Sequence, residues 1–258
     1  MSTELSRTEL PNPPRNILIT IEYDGAAYVG WETQRNGPSI QLEMERAIAE
    51  ITGERPVLNG SGRTDTGVHA VAQTASFTLL NKISVEDLKR GLTAVLPMDI
   101  AVTEAEDVPL SFHARFSAVS KTYRYQVWNA RTRSPLHRGA SHHIRGPLDL
   151  DAMRSAAEHL VGRHDFTSFA REPEASASCV RTIFTLEIVP NGAVVDFLIT
   201  GDGFLYNMVR IVVGTLLQVG SGQLEADDLI SIRDGHDRIL AGPTVPPCGL
   251  SLLRVSYR

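Results

Sequence analysis

Cysteine is nearly absent from this chain. Cys179 and Cys248 are the only two in 258 residues. They lie far apart and neither sits in a C-x-x-C pair, so no zinc-site or thioredoxin-like motif is visible. The plain expectation is two reduced, buried or half-buried thiols, a usage that suits a reducing cytoplasm. Long apolar runs are missing too. The best, Met208 to Val219, is interrupted by Arg210 and too short to cross a bilayer. Residues 1–15 lack the apolar stretch of a signal peptide, carry Pro11, Pro13 and Pro14, and read as a disordered tail. A soluble, cytoplasmic protein with no membrane partner is expected. With 42% hydrophobic and 21% charged residues, the chain can build an ordinary core as one large domain or two smaller ones.

Acidic residues are absent from one long stretch. The net charge is −5, yet Val108 to Leu148 contains no Asp or Glu. It holds Arg115, Lys121, Arg124, Arg131, Arg133, Arg138 and Arg145, so it is formally +7 and the remainder −12. A basic zone on an acidic body is the electrostatic footprint of a nucleic-acid binder; a solvated basic loop is the alternative. His137, His142 and His143 lie in the same block, as phosphate contacts or as part of such a loop.

The periodicities predict an α+β protein. Ile17–Tyr23, Val71–Phe77, Thr122–Trp128, Arg181–Val189, Ala193–Thr200 and Leu250–Tyr257 read as strands. Pro190-Asn191-Gly192 is a hairpin signal. Ser39 caps a helix to about Ile51, with Gly53 past its end. Ser84 with Asp87 forms a capping-box pattern. Met153 to Leu160, Met208 to Val219 and Asp227 to Arg233 supply further helices. Each half mixes strands with two helices, in an order compatible with antiparallel α+β packing. The boundary falls where Asp107-Val108-Pro109 interrupts the pattern, giving an N-terminal domain 16–108 and a C-terminal domain 109–258.

Three segments carry chemistry. Gly60 to Ala70 packs three glycines, Arg63, Asp65 and His69 into eleven residues before a strand. No G-K-[ST] follows, so it is not a phosphate-binding P-loop, and no strand-to-helix context makes it a dinucleotide fingerprint. Asp65 is either a turn-forming residue or a working carboxylate on a glycine-defined loop. In Lys121-Thr122-Tyr123-Arg124-Tyr125, both tyrosines and Lys121 share one strand face. They form either a core aromatic pair or a platform for an unpaired base. Arg210 falls between Met208 and Ile211 on an apolar helix, where an unpaired buried charge is costly. It either snorkels to water or binds a distant carboxylate such as Asp65, bidentately.

Taken together these segments resemble the tRNA pseudouridine synthase A family, over about Asn16 to Tyr257. Tyr23-Asp24-Gly25 with Gly30-Trp31, Gln41-Leu42-Glu43, Gly62 through Ala70, Phe112 through Ala118, Lys121 through Tyr125, His164-Asp165-Phe166, Gly203 through Arg210 and Pro247 through Leu250 follow in family order. The resemblance implies two similar halves, each an antiparallel sheet with helices packed on it, with the active-site cleft between them, and a homodimer that isomerises uridine to pseudouridine in the anticodon arm of tRNA, at positions 38, 39 and 40. It implies no metal and no organic cofactor. It makes Asp65 the catalytic carboxylate and Tyr123, Arg210, Arg63 and Leu250 substrate-binding residues, with Arg210 paired to Asp65. Glu32 and Val245 depart from the family pattern, where Gln and Ala are common, and are expected to affect only RNA docking. The rival readings are an inactive RNA-binding protein of the same fold, and a carboxylate hydrolase, which would want a second acid beside Asp65.

Overall fold

The computed structural model describes residues 13–171 and 178–258. Most of the expected N-terminal tail, residues 1–12, lies outside the described residues. The elements run β1 (Arg15–Tyr23), α1 (Ile40–Thr52), β2 (Asn59–Gly60), β3 (His69–Leu79), α2 (Val85–Val95), β4 (Ile100–Val108), β5 (Ala118–Asn129), β6 (His142–Ile144), α3 (Leu150–Glu158), β7 (Gly162–Asp165), β8 (Val180–Asn191), β9 (Val194–Gly201), α4 (Met208–Gly220), α5 (Asp228–Asp234) and β10 (Leu250–Tyr257).

All ten strands belong to one sheet of order β4-β1-β3-β10-β5-β9-β8-β7, with β2 on β3 and β6 on β5. Each half is antiparallel along this path, as expected. The seam between halves is not. β10 meets β3 in parallel over two residue pairs, Ser251 with His69 and Leu252 with Ala70. The class is therefore α+β, and the signature segment runs directly into the seam.

Strand β4 escaped the sequence reading. Its Ile100 and Val102 alternate inward, but Glu104, Glu106 and Asp107 follow, so half the strand looks like a charged linker. It is an edge strand beside β1, and charge on such an edge discourages pairing with other chains.

The helices form where capping and periodicity place them. Ser39 accepts from Leu42 N–H at the start of α1, and Gly53 closes it in the left-handed region at φ 74°. Ile40, Met44 and Ile48 are fully buried and share one cluster with Ile17, Ile19 and Ile21 of β1. Each such side chain contributes about 1.5–3 kcal/mol by leaving water, so Ile48→Ala is expected to cost about 2–5 kcal/mol. At α2 the Ser84 hydroxyl caps Asp87 N–H and donates to the Asp87 carboxylate. Asp is one methylene shorter than the Glu of a full capping box. Nearly all of α4 is buried. At its Gly214 an added Cβ would lie 1.9 Å from Pro243 O. Only glycine lets the 243–247 segment cross there and reach the signature loop.

Candidate active site

The loop from Ser61 to Val68 joins β2 to β3 and is held from two sides. Trp31 N–H donates to Thr64 O at 3.0 Å and Gly67 N–H to Tyr28 O at 3.2 Å. Thr66 Oγ1 donates to Val29 O at 3.1 Å, and the Tyr23 hydroxyl meets Thr64 Oγ1 at 2.8 Å. Gly30 makes this approach possible: its φ is +106°, and a Cβ there would stand 2.4 Å from Thr64 O. His69, at the loop's exit, sets Nδ1 2.9 Å from Asp24 Oδ1. From the other half, Lys121 Nζ donates to Ser61 O at 2.7 Å. Burial and nearby Arg115 pull the Lys121 ammonium below its usual pKa. The loop is rigidly backed, and Asp65 sits in the tight turn closed by Val68 N–H donating to Asp65 O at 3.1 Å.

Arg210 comes to Asp65 from α4. Its Nη1 lies 3.7 Å from Asp65 Oδ2, with side-chain exposures of 15% and 24%. The guanidinium does not snorkel away. Its Nε donates to Val245 O at 2.8 Å and its Nη1 to Asn207 Oδ1 at 2.7 Å. The expected bidentate pair is thus corrected: at 3.7 Å the approach is too long for a direct hydrogen bond. Two donors are already spent on Val245 and Asn207, which fix where the charge sits. Asn207, three residues before Arg210, takes the left-handed conformation at φ 61°. A non-glycine residue there stores strain. The expectation that Val245 stays clear of the key positions is corrected as well, because its carbonyl is one of Arg210's two anchors.

Burial raises the Asp65 carboxyl above its usual pKa, while the charges of Arg210 and then Arg171 oppose that rise. Desolvation is the largest effect, so the cations restrain the shift without reversing it. Arg171 carried no sequence signal.

Tyr123 stands on β5 beside this pair. Its hydroxyl is pushed well above its usual pKa by burial, then by Tyr23 and Asp65. The ring is only 8% exposed, with the Phe204 ring edge-on at 5.2 Å. It belongs to the core and reaches the site at once. Leu250 is 5% exposed and pairs with Tyr125 in register. Arg63 is not gathered in. It lies at the rim, 71% exposed, with Nη2 2.6 Å from Glu32 Oε1. Glu32, one of the two departures from the family pattern, is therefore the residue that holds Arg63.

The basic block is only partly a solvated loop. His137 stacks on Trp128 with ring centroids 4.5 Å apart, and His143 Nε2 lies 2.8 Å from Ala130 O. Both cysteines are free and half-buried. Among the described residues no group of three or more His, Cys, Asp or Glu could hold a metal ion. None of the described helices is long and apolar enough to cross a membrane.

Comparison with known proteins adds a second line of observation. A family model described as tRNA pseudouridine synthase matches residues 19–117 and 156–258. The chain is 44% identical over 243 residues to "tRNA pseudouridine synthase A" of Thermoanaerobacter sp. (strain X514), covering 94% of this chain and 100% of the relative. It is 45% identical over 244 residues to the protein of that name from Geobacter sp. (strain M21), covering 94% and 99%. Among solved structures, "Crystal Structure of a Cbf5-Nop10-Gar1 Complex" contains a chain with a TM-score of 0.36 at 13% identity, over 93% of this chain and 58% of that one. That likeness is too distant to bear on the site.

Proposed function

The chain belongs to the tRNA pseudouridine synthase family, and from that premise we propose that it isomerises uridine to pseudouridine in tRNA with Asp65 as the catalytic carboxylate. The anticodon-arm positions implied by the resemblance are the proposed targets. The observation that carries this reading is the meeting of Asp65, on the β2–β3 loop, with Arg210, on α4, across 3.7 Å. The two side chains come from opposite halves of the chain, and Tyr123 lies beside them.

The chemistry asks for such a place. The bond from N1 to the sugar C1′ breaks, the uracil turns, and C5 bonds to C1′. C5 loses its proton and N1 gains one, so atoms balance without any cofactor. The target base must leave its stack, at a cost of a few kcal/mol. Water must be kept from the detached sugar. Asp65 serves ionised, either as nucleophile at C1′ or as the base that takes the C5 proton. Arg210, fixed by Val245 and Asn207, orients that carboxylate and opposes its protonation. Tyr123 forms the wall against which the base packs, above Leu250. Arg63 reaches RNA once it leaves Glu32. The halves 16–108 and 109–258 close on the RNA from either side. Family membership also supports a homodimer working in the cytoplasm.

Asp65→Asn tests the proposal. It is expected to bind tRNA and form no pseudouridine. Product formation by a pure, folded Asn variant would refute the assignment. Sedimentation at the mass of one chain would refute the dimer.

A further inference from the structure

Beside the site lies a cavity that the proposed chemistry does not use. It measures about 450 Å³ and is lined by Trp128, Arg133, Arg138, His142, His143 and Cys248, among others. That volume is within the range of about 300–1,000 Å³ typical of small-ligand pockets. Its chemistry is one-sided. The whole stretch that builds it, 128–143, contains no carboxylate, and two arginines stand at its edge. Burial and the neighbouring His143 lower the His142 pKa, and the two arginines carry a positive charge that does not titrate near neutral pH. The aromatic wall is fixed. Trp128 donates from Nε1 to Thr132 O at 2.9 Å, and the His137 ring lies on it at 15°. A cation pair beside a pinned indole recognises a flat ring carrying a phosphate.

The cavity and the active site share a wall, the turn Pro246–Gly249. On one side of it Tyr125 OH donates to Pro246 O at 2.8 Å, and Pro247 packs against Gly67 of the Asp65 loop. On the other side Cys248 lines the cavity, with Sγ 3.6 Å from Ser141 O. The turn thus stands between the Asp65 loop and the cavity.

We propose that the cavity receives a second, non-target nucleotide of the same RNA that passes the turn from Asp65, its base against the cavity-lining side of Trp128, away from His137, and its phosphate between Arg133 and Arg138. The proposal rests on the RNA-modifying reading above. It makes this turn a ruler that sets the distance between the modified base and an anchoring nucleotide.

The test is Arg133→Ala with Arg138→Ala. Both side chains are exposed, so the fold is expected to survive, and an unchanged Tm checks this. As a control, Arg46→Ala with Arg90→Ala removes the same charge elsewhere. Turnover, RNA affinity in the absence of turnover and sedimentation are all measured. The cavity variant should raise KM for tRNA about tenfold and leave kcat within twofold. Its plot of log affinity against log salt should be shallower by about 1, as for one lost phosphate contact. The control should match the native protein. Equal effects in both variants would overturn the proposal in favour of long-range attraction. Unchanged KM and salt slope would overturn it while leaving the synthase reading intact. A shift from dimer to monomer would overturn it in favour of a subunit contact. Weakened RNA binding in a protein that makes no pseudouridine would sink the synthase reading and spare the cavity.

Discussion

Replacing Arg210 by Lys keeps a positive charge near Asp65 but removes the fork that holds it. In the native protein the guanidinium donates to Val245 O at 2.8 Å and to Asn207 Oδ1 at 2.7 Å, while Nη1 stands 3.7 Å from Asp65. One ammonium cannot reproduce that planar geometry. Losing one hydrogen bond from a charged group costs about 1.5–3 kcal/mol. If that bond positions the charge in the transition state, kcat/KM falls about 10- to 150-fold. Tritium at C5 of uridine gives the assay, because the C5–H bond breaks in each turnover.

Arg210→Met separates charge from geometry. Two unit charges about 4 Å apart attract by about 4 kcal/mol at an effective dielectric of about 20. Partial exposure of both groups reduces this to about 1–2 kcal/mol. Burial already raises Asp65's affinity for its proton, with Arg210 opposing. Removing the cation raises it further, so activity is lost on acidification at a higher pH than in the native enzyme. The Lys variant keeps the charge, and its acid limb should not move. A Lys variant within twofold of native kcat/KM would refute the orienting role. A Met variant with an unmoved acid limb would refute the electrostatic one.

Three further outcomes follow from the same site. Because the folded state raises Asp65's pKa, the folded protein keeps a proton that the unfolded chain releases above about pH 4. Stability from this group therefore falls as pH rises from there through the raised value. Asp65→Asn should melt no lower than native at pH 7, with the difference closing below about pH 4; a lower Tm at pH 7 would contradict this. Asn207→Gly relieves left-handed strain, smaller for Asn than for other non-glycine residues, yet removes Arg210's partner, so Tm should hold or rise while kcat/KM drops about tenfold; parallel losses in both would argue against it. Gly30→Ala forces a Cβ into Thr64 O and should lower stability by more than about 1 kcal/mol and abolish turnover; a fully active variant would show that the clamp on the Asp65 loop is dispensable.

The residues left Arg210 open between water and a distant carboxylate, and the family resemblance, not the helix pattern, pointed it to Asp65. The caps at Ser39, Ser84 and Gly53 were legible because capping is local chemistry. What escaped depends on distant partners. β4 was hidden because an edge strand has no need of apolar residues on both faces. Asn207 would pass as an ordinary helix cap; nothing local shows that its side chain serves Arg210. The longer approach to Asp65 goes with Arg210's bond to Val245, thirty-five residues away in the chain. Tyr123's small exposure follows from Phe204, which only the sheet brings near. Arg63's position depends on Glu32, which is distant in sequence and adjacent in space.

The two-pair parallel seam has a consequence for how the protein is made. β10 follows every other described element in the chain, yet it lies between β3 and β5. Until it leaves the ribosome, only the short β2 covers part of β3's inner edge, and the Asp65 loop and the Arg210 helix have no strand joining their halves. Synthesis therefore passes through a stage in which two folded sheets expose edges able to pair with other nascent chains. The active site assembles in a single late step, when the final strand docks.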